Sequence, residues 1–246
     1  MFVGSLSLVS LLTVIRTFPS FEDFSKIALK GIKNKNLVNL SGKPLVEWTI
    51  DHCLNCRYIK ETFVSSDSNE ILEFAIKKKV TPILRPSHLA EDSSSSEDAW
   101  LHALDYVNDQ KGYLLDFIVA PQVTSPLRGR NEFEDALDKM NNERLDSLLS
   151  VNCLKDYFIW IKKDKNFISE NYDFKNRSRR QLIKTKYHEN GSFYIFRPEI
   201  LRKYKNRLGG KIGYHKMEEY KSFQIDEIDD IKLCEVIMNG YGLNET

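Results

Sequence analysis

Five clusters of polar residues carry the residue types that bind phosphate, carboxylate, metal or polyol groups. The first is a loop that contains Lys30, Gly31, Lys35 and Asn36. A lysine offers a point charge to a phosphate, a glycine allows close approach of the backbone, and an asparagine can hydrogen-bond a base edge. These residues predict a phosphate-binding loop, although a loop rich in Lys and Asn is also typical of a solvated surface.

A second cluster follows a short strand predicted at Thr81–Leu84. Arg85 ends this strand, where its guanidinium suits a phosphate or a carboxylate. Ser95 and Ser96 precede a predicted helix, whose free N–H groups favour the same anion. We expect Ser96 to cap this helix.

The third cluster directly follows the continuous apolar run Asp116–Ala120, which is typical of a buried central strand. It contains Gln122, Thr124 and Ser125, and Pro126 stiffens it. Neutral hydrogen-bonding side chains at the end of a strand suit a polyol, so we expect this loop to bind a sugar.

The fourth cluster contains Arg179 and Arg180, and Asn190 follows it along the chain. Guanidinium groups recognise carboxylates through paired hydrogen bonds. This cluster is therefore predicted to contact an acidic substrate.

The fifth cluster supplies carboxylate oxygens near the end of the chain. Asp226 is the candidate Mg²⁺ ligand, because Mg²⁺ is usually held by one or two carboxylates together with substrate phosphates. Asp229 and Asp230 are better explained as the acidic first turn of a helix.

Composition narrows the class of protein. The chain has 246 residues, of which 41% are hydrophobic, and 36 Lys and Arg against 35 Asp and Glu give a net charge of +1. This balance gives no general basic field, so we expect no nucleic-acid partner. The length suits one α/β domain with a small appendage, or at most two small domains.

The cysteines and the N-terminal residues bear on location. Four cysteines form neither a disulfide framework nor a zinc motif, which favours reduced thiols and the cytoplasm. The run Phe2–Ile15 is apolar, but a spanning helix needs roughly 20 apolar residues. We expect no membrane partner, and a membrane-anchored or secreted form is the alternative.

Strands and helices alternate from Asn36 onward. Strands are predicted at Glu61–Ser65, Thr81–Leu84, Asp116–Ala120 and Ser147–Val151, and helices at Pro44–Cys56, Asn69–Lys79, Ser96–Val107 and Asn131–Met140. This order predicts a three-layer α/β/α fold with a mostly parallel sheet. Ligands of such sheets bind beyond the carboxyl ends of the strands.

The segment Lys155–Lys186 interrupts this alternation. It is rich in aromatic and basic residues, which are enriched at the centres of protein interfaces. We interpret it as an excursion from the sheet that carries a partner contact, and a long solvated hairpin is the alternative.

Taken in order, these clusters resemble the acylneuraminate cytidylyltransferases over about residues 30–238. The resemblance rests on six motifs in register: Lys30-Gly31-Ile32-x-x-Lys35-Asn36, Gly42-Lys43-Pro44-Leu45, Val64-Ser65-Ser66-Asp67, Arg85-Pro86-x-x-Leu89-Ala90-x-Asp92, Gln122-x-Thr124-Ser125-Pro126-Leu127-Arg128 and Asn190-Gly191-x-x-Tyr194. The resemblance implies a Rossmann-like nucleotidyltransferase fold. It also implies transfer of CMP from CTP to the anomeric hydroxyl of a nonulosonic acid, with release of pyrophosphate.

The resemblance assigns roles to the candidate residues. The implied catalytic residues are Lys30 and Lys35, and the implied Mg²⁺ ligand is Asp226. The residues implied to bind CTP are Gly31, Asn36, Arg85, Ser95 and Ser96. The residues implied to bind the sugar are Gln122, Thr124, Ser125, Arg179, Arg180 and Asn190. It further implies a homodimer built through residues 155–186. Residues 30–246 would form the cytidylyltransferase domain, preceded by an atypical segment 1–29. A Kdo cytidylyltransferase is a near alternative.

The sequence departs from the family pattern before Lys30. The family usually begins I-P-A-R-G-G-S-K-G-I, whereas Lys26–Ile32 reads KIALKGI and lacks the Arg, the paired glycines and the serine. The abrupt change indicates a shifted reading frame or a real divergence. Charge-assisted hydrogen bonds contribute about 1.5–3 kcal/mol each, so a catalytically impaired nucleotide-binding protein is an alternative function. Phe2–Ile15 is a candidate for a substitute first strand.

A second departure concerns the metal. Gln224 replaces the first Asp of an Asp-x-Asp pair that the family often has, and Asp226 remains. One carboxylate can hold Mg²⁺ with the help of triphosphate and water. The expected consequence is a weaker metal affinity.

Overall fold

The computed structural model describes residues 9–15, 35–91, 94–112, 115–154, 158–177, 179 and 185–244. The strands are β1 (Val9–Ile15), β2 (Asn39–Leu40), β3 (Lys43–Pro44), β4 (Ile59–Ser66), β5 (Thr81–Leu84), β6 (Ile118–Pro121), β7 (Ser147–Leu154), β8 (Trp160–Lys163), β9 (Asn166–Ser169), β10 (Lys186–Phe196) and β11 (Ile212–Met217). The helices are α1 (Leu45–Asn55), α2 (Asn69–Lys77), α3 (Ser96–Lys111), α4 (Glu132–Asn142), α5 (Pro198–Tyr204) and α6 (Ile228–Tyr241).

The predicted helices and strands between residues 44 and 154 are all present, with ends shifted by a few residues. The predicted cap of α3 is wrong by one position. Ser95 has extended backbone angles and its hydroxyl accepts the Asp98 N–H at 3.0 Å, so Ser95 is the cap. Ser96 is already the first helical residue.

Seven strands form one mixed sheet in the order β11-β7-β10-β6-β1-β4-β5. The pairs β4–β5 and β7–β11 are parallel, whereas β1 and β10 run antiparallel to both of their neighbours. Five strands therefore share one direction, as expected of a mostly parallel sheet, and two are reversed. The apolar pattern of a strand indicates burial but carries no information about direction.

Strand β1 lies in the interior of the sheet, between β4 and β6. Its register places Val9 opposite Ser66, and Thr13 pairs with both Thr62 and Val119. The Val- and Leu-rich sequence VSLLTVI suits a strand with neighbours on both sides. The expected substitute strand is confirmed for residues 9–15. The boundary at residue 29 stays a prediction.

The two faces of the sheet are covered by separate apolar cores. Residues of α1, α2, α4 and α6 pack on one face, against side chains such as Val64, Val119 and Phe193. Residues of α3 and α5 pack on the other, against side chains such as Phe63 and Ile118. Alternate residues of β4 and β6 thus point to opposite cores, and the predicted three-layer architecture is confirmed.

The carboxyl ends of β4, β5, β6, β7 and β11 lie at one edge of the sheet because these strands share a direction. Arg85 directly follows β5 and Gln122 directly follows β6. The sheet therefore brings two of the predicted clusters to the edge where ligands of such folds bind.

Within the described part of the predicted excursion, β8 and β9 form a separate antiparallel hairpin. The Trp160 ring stacks on Phe167 at a centroid distance of 5.3 Å and also contacts Tyr172 and Phe174. Phe167 is 66% exposed and Phe174 is 51% exposed. The hairpin thus presents an aromatic cluster to solvent.

Two other expectations concern cysteines and membranes. All four cysteines lie in the described residues and none forms a disulfide. Among the helices that the structure describes, none combines the length and apolar character needed to cross a bilayer.

Replacing Thr13 by proline tests the central position of β1. Proline removes a backbone donor, and Thr13 has a pairing strand on each side, so the lost bond cannot lie at an open edge. We expect Thr13→Pro to lower the free energy of unfolding in urea by about 2 kcal/mol or more. Thr13→Val is the control and should cost little. Equal stability of the two variants would contradict the central placement.

Candidate functional site

Arg128 lies at the end of the predicted sugar-binding loop and is fully buried. Its guanidinium donates to the Ser192 hydroxyl at 3.1 Å, to the Ser192 carbonyl at 2.8 Å, to the Thr49 hydroxyl at 3.2 Å and to the Gln122 carbonyl. These four bonds join α1, the loop after β6 and strand β10. Burial lowers the pKa of Arg128 to about 10, so the group is charged at neutral pH.

His52 supports the same loop from α1. Its ring nitrogens lie 2.5 Å from the Trp48 carbonyl oxygen and 3.0 Å from the Arg128 carbonyl oxygen. Burial, reinforced by the nearby Arg128 charge, lowers the pKa of His52 to about 4. The ring is therefore neutral at physiological pH and donates to one of the two carbonyls.

A bulge in β10 brings Asn190, Gly191 and Ser192 against the loop after β6. The register with β7 shifts between Glu189 and Tyr194, and the Gln122 N–H donates to the Ser192 carbonyl at 2.9 Å. Bulges redirect side chains and are common beside active sites. Here the bulge joins the third and fourth predicted clusters.

The side chain of Asn190 is directed inward, where it is 1% exposed. Its Oδ1 accepts from the Ser150 hydroxyl at 2.6 Å and from the Ser192 N–H at 3.0 Å, and its Nδ2 donates to Asn152 Oδ1 at 2.6 Å. These bonds fix the bulge. The structure thus gives Asn190 a set of partners within the protein, and its direct contact with a sugar stays a prediction.

Gln224 extends over the bulge from the other side. Its Nε2 donates to the Asn190 carbonyl at 2.7 Å, a bond that the carboxylate of an Asp could not make. A Cβ built on Gly191, which has φ +66°, would lie 2.9 Å from Gln224 Nε2 and 3.4 Å from Gln122 Oε1. The glycine therefore leaves space for two carboxamides at one point of the site.

Lys35 and Asp226 meet across 191 residues of sequence. The Lys35 Nζ lies 3.0 Å from Asp226 Oδ1, the Lys35 side chain is 1% exposed and the Asp226 side chain is 68% exposed. A buried ammonium thus pairs with a carboxylate that faces solvent. The structure brings together the predicted catalytic lysine and the predicted metal ligand.

Asp226 also borders a cavity of about 740 Å³ beside the excursion hairpin. Its lining includes the polar residues Gln224 and Asn152 and the apolar residues Ile159 and Phe223. The size of this cavity is in the range of small-molecule sites, and its lining is mostly polar or charged.

The donor set around Asp226 fits a magnesium ion. Its carboxylate is largely exposed, and its partner Lys35 occupies Oδ1 only. Asp230 is less suitable, because its Oδ2 accepts the backbone N–H groups of Asp226 and Glu227. No group of three or more His, Cys, Asp or Glu side chains suited to a metal occurs in the described chain. One carboxylate combined with ligand phosphates is a usual arrangement for Mg²⁺.

The other residues predicted to bind CTP differ in burial and in hydrogen bonding. Arg85 is buried and donates to the Ser65 hydroxyl at 3.2 Å and the Ser65 carbonyl at 2.5 Å, and burial lowers its pKa to about 10. Asn36 is 2% exposed, and its Oδ1 has no hydrogen-bond partner among the described residues. The Ser95 hydroxyl caps α3 and also donates to Asp98 at 2.6 Å, while Ser96 is half-buried.

Three of the other residues predicted to bind the sugar lie in the described part of the chain. Thr124 and Ser125 are buried, and Ser125 Oγ has no hydrogen-bond partner in the part of the chain that the structure describes. Arg179 is exposed. The predictions for Lys30, Gly31 and Arg180 lie outside the described residues.

Sequence reasoning assigned no site role to Arg128 or Asn152, and treated Gln224 only as a lost metal ligand. Asn152 donates to the carbonyls of Met217 and Glu218 and accepts from Asn190, so it fixes the bulge from β7. The sequence signal for Arg128 is its position in an otherwise buried loop, where a charge requires several partners.

Comparison with known proteins gives a consistent result. A family model described as cytidylyltransferase matches residues 27–240. The N-acylneuraminate cytidylyltransferase of Streptococcus agalactiae serotype III (strain NEM316) is 27% identical over 206 residues, which are 82% of this chain and 48% of that protein. The chain thus spans about half the length of this relative.

Two further proteins are similar to the chain. The pseudaminic acid cytidylyltransferase of Campylobacter jejuni serotype O:23/36 (strain 81-176) is 29% identical over 171 residues, covering 68% of this chain and 72% of that protein. A CMP:2-keto-3-deoxy-manno-octonic acid synthetase solved with CTP has a TM-score of 0.63 at 13% identity, covering 87% of this chain and 97% of that one. At this identity the structural likeness concerns the fold.

Gly191→Ala tests the packing of the two carboxamides. The added methyl would be strained at φ +66° and would displace Gln224 Nε2 from the Asn190 carbonyl. Gly242→Ala is a matched control, because Gly242 has φ +65° and nothing within 4 Å of the added Cβ. Both substitutions should lower the free energy of unfolding in urea by about 1 kcal/mol because of the positive φ. Gly191→Ala should lower it by about 1 kcal/mol more because it also disturbs the hydrogen bond of Gln224. Equal losses would contradict the close packing.

The buried neutral His52 predicts a pH dependence. Its folded pKa of about 4 lies below the value of about 6.5 expected in the unfolded chain. As pH falls from 6.5 to 4 the unfolded chain takes up a proton that the folded chain does not, so stability falls by up to about 3 kcal/mol. Urea unfolding between pH 7 and 4.5 should therefore give a flatter profile for His52→Gln than for the wild type. Parallel profiles would contradict a neutral His52.

Proposed function

Because the chain belongs to the cytidylyltransferase family, we propose that it transfers CMP from CTP to the anomeric hydroxyl of a nonulosonic acid. The sugar oxygen forms a bond to the α-phosphorus of CTP. The bond from this phosphorus to the bridging oxygen breaks, pyrophosphate leaves, and the hydroxyl proton is released. Such a transfer depends on positioning and on neutralising charge at the phosphate oxygens.

The pair of Lys35 and Asp226 is the observation that carries this proposal. It places a fixed ammonium and a solvent-facing carboxylate side by side at 3.0 Å, next to a cavity of about 740 Å³. An ammonium held in place can pair with a phosphate oxygen without a further ordering cost. The carboxylate is suited to a cation that a triphosphate brings with it.

Asn36 supports a nucleotide ligand. A buried acceptor without a partner is costly, and Asn36 Oδ1 is such an acceptor among the described residues. The amino group of cytosine is a donor that would satisfy it. Lys30, Gly31, Arg85, Ser95 and Ser96 remain further proposed contacts of CTP.

We assign Mg²⁺ as the cofactor and Asp226 as the protein group that would hold it. When bound, Mg²⁺ neutralises charge on the triphosphate oxygens. Lys35 keeps the Asp226 carboxylate in place. Because Gln224 donates to the Asn190 carbonyl, we expect it to orient the bulge and leave the cation to Asp226.

The sugar is proposed to lie beyond β6 and to contact Gln122. Arg128 fixes the backbone of Gln122, and Gly191 leaves space for its carboxamide. Thr124, Ser125, Asn190, Arg179 and Arg180 are the other proposed sugar contacts. The names of the relatives support a nonulosonic acid such as N-acylneuraminate or pseudaminate. A Kdo cytidylyltransferase is the alternative for which only the fold argues.

We further propose that the chain acts as a homodimer in the cytoplasm. The described part of residues 155–186 exposes Phe167 and Phe174 on the excursion hairpin. Exposed aromatic clusters of this kind are typical of interface centres. Ile159 of the same segment borders the cavity beside Asp226, so a dimer contact there would lie next to the site.

Pyrophosphate release tests the proposed function. Purified chain is incubated with CTP, Mg²⁺ and, separately, N-acetylneuraminate, legionaminate, pseudaminate or Kdo. We expect release with one nonulosonic acid, and a fall of about a hundredfold or more in Asp226→Asn. Asp229→Asn is the matched control, because Asp229 is exposed and pairs with the exposed Lys232.

The outcomes separate the alternatives. Release with Kdo alone would favour the Kdo reaction. Absence of release with every sugar, from folded protein, would contradict the proposed transfer and favour an impaired nucleotide-binding protein. Equal activity of Asp226→Asn and wild type would contradict the role of Asp226.

A further inference from the structure

A buried ion-pair network lies beside the site and involves none of the residues assigned above. Glu132, the first residue of α4, is 8% exposed, and Lys221 is 7% exposed. Lys221 Nζ lies 2.5 Å from Glu132 Oε1 and 2.5 Å from Glu218 Oε2. His215 Nε2 lies 2.6 Å from Glu132 Oε2. The network joins α4, β11 and the short helical turn Glu219–Ser222.

Glu132 and Lys221, the buried pair of this network, are both charged at neutral pH. Burial alone would raise the pKa of Glu132, but hydrogen bonds from His215 and Lys221 outweigh it and lower that pKa. Burial likewise opposes the charge of Lys221, and its bonds to Glu132 and Glu218 raise its pKa. A buried ion pair is weak support for stability, because desolvation offsets the attraction. The pair is therefore more informative about which segments of the chain it holds in place.

The pair anchors one end of the segment that carries the proposed metal ligand. We call Glu218–Asp226 the strap. Within the strap, Lys221 and Ile225 are the buried residues. The Ile225 N–H donates to the Thr124 carbonyl at 2.8 Å. Asp226 follows directly and faces solvent. Its backbone is held by these two anchors together with the bond from Gln224 to the Asn190 carbonyl, and its carboxylate is held by Lys35.

The Lys221 anchor also contacts the end of the sugar-binding loop. A Cβ built on Gly129 would lie 3.1 Å from Lys221 Nζ and 3.4 Å from Glu132 Oε1. The ammonium therefore packs closely against the residue that follows Arg128. A displacement of Lys221 would release the strap from this loop.

We propose that Lys221 and Glu132 are positioning residues that fix the strap so that Asp226 can hold Mg²⁺ with CTP. The inference rests on the proposed function for its reaction, and on the contacts of the strap for its geometry. Neither residue touches Asp226 or the cavity beside it. Their effect on the cation is transmitted through the strap backbone.

Glu132→Gln is the main test. With Glu132 neutral, the carboxylate partner that remains for Lys221 is Glu218, whose side chain is 60% exposed, so the ammonium should move outward. In pyrophosphate release, the Mg²⁺ concentration for half-saturation should rise about tenfold, while turnover at saturating Mg²⁺ stays within about twofold. Lys78→Met is the matched control, because Lys78 joins two carboxylates, Glu47 and Asp51, away from the strap. It should leave the Mg²⁺ dependence unchanged.

A second readout does not depend on turnover. Hydrogen exchange of the Ile225 amide, followed in peptides that cover the strap, should be about tenfold faster in Glu132→Gln than in the wild type. Weaker anchoring increases the frequency of local opening. In calorimetric titrations of CTP, Mg²⁺ should increase the affinity for CTP less in the variant than in the wild type.

A double variant separates positioning from folding. Lys221→Met leaves Glu132 buried with less compensation, so it should be the less stable single variant. Adding Glu132→Gln removes the remaining buried charge and should restore stability, but not the Mg²⁺ dependence or the exchange at Ile225.

Unchanged Mg²⁺ half-saturation or unchanged exchange at Ile225 in folded Glu132→Gln would overturn the positioning role. Restoration of both by the double variant would assign the pair to stability alone and also overturn it. A wild-type chain without turnover would contradict the proposed function, and exchange and calorimetry would then decide this inference separately.

Discussion

The site depends on one buried guanidinium, because Arg128 hydrogen-bonds to three separate segments of the chain at once. It bonds α1 through Thr49, the loop after β6 through the Gln122 carbonyl, and β10 through Ser192. An arginine without water must satisfy its donors within the protein. The backbone of Gln122 and the bulge of β10 are therefore held in one arrangement.

From this centre the site extends along the carboxyl edge of the sheet. Toward β11, the bulge at Asn190 and Gly191 accepts Gln224, and the strap then leads to Asp226. Asp226 in turn meets Lys35 from the other end of the chain. The neutral side chains of the Gln122 loop and the charged pair of Lys35 and Asp226 thus belong to one connected structure, which suits a ligand with both hydroxyl and phosphate groups.

The local sequence pattern was sufficient to predict much of the fold. The apolar runs and helical spacing gave the elements from α1 to β7 and the three layers, since these follow from burial alone. The direction of β1 did not follow, because VSLLTVI would look the same in either orientation. The long strand β10 was also missed, since its polar Asn190-Gly191-Ser192 stretch forms a bulge that interrupts the apolar alternation.

The sequence selected candidate residues by type but could not predict their contacts. Lys35 and Asp226 were both selected by residue type, but their pairing joins positions 191 residues apart and needs the folded chain. Asn190 was selected as a sugar contact, and the structure shows a side chain engaged with Ser150 and Asn152. Arg128 and Lys221 were not selected, because a buried cation is recognised by its partners and these come from distant segments.

The first experiment is a calorimetric titration of CTP into the wild-type chain, with and without Mg²⁺. We expect CTP to bind in the presence of Mg²⁺ and at least about tenfold more weakly without it, because Lys35 and Asp226 are already in place. Absence of CTP binding by folded protein, or binding that Mg²⁺ does not strengthen, would contradict the claim that these residues form a nucleotide–metal site.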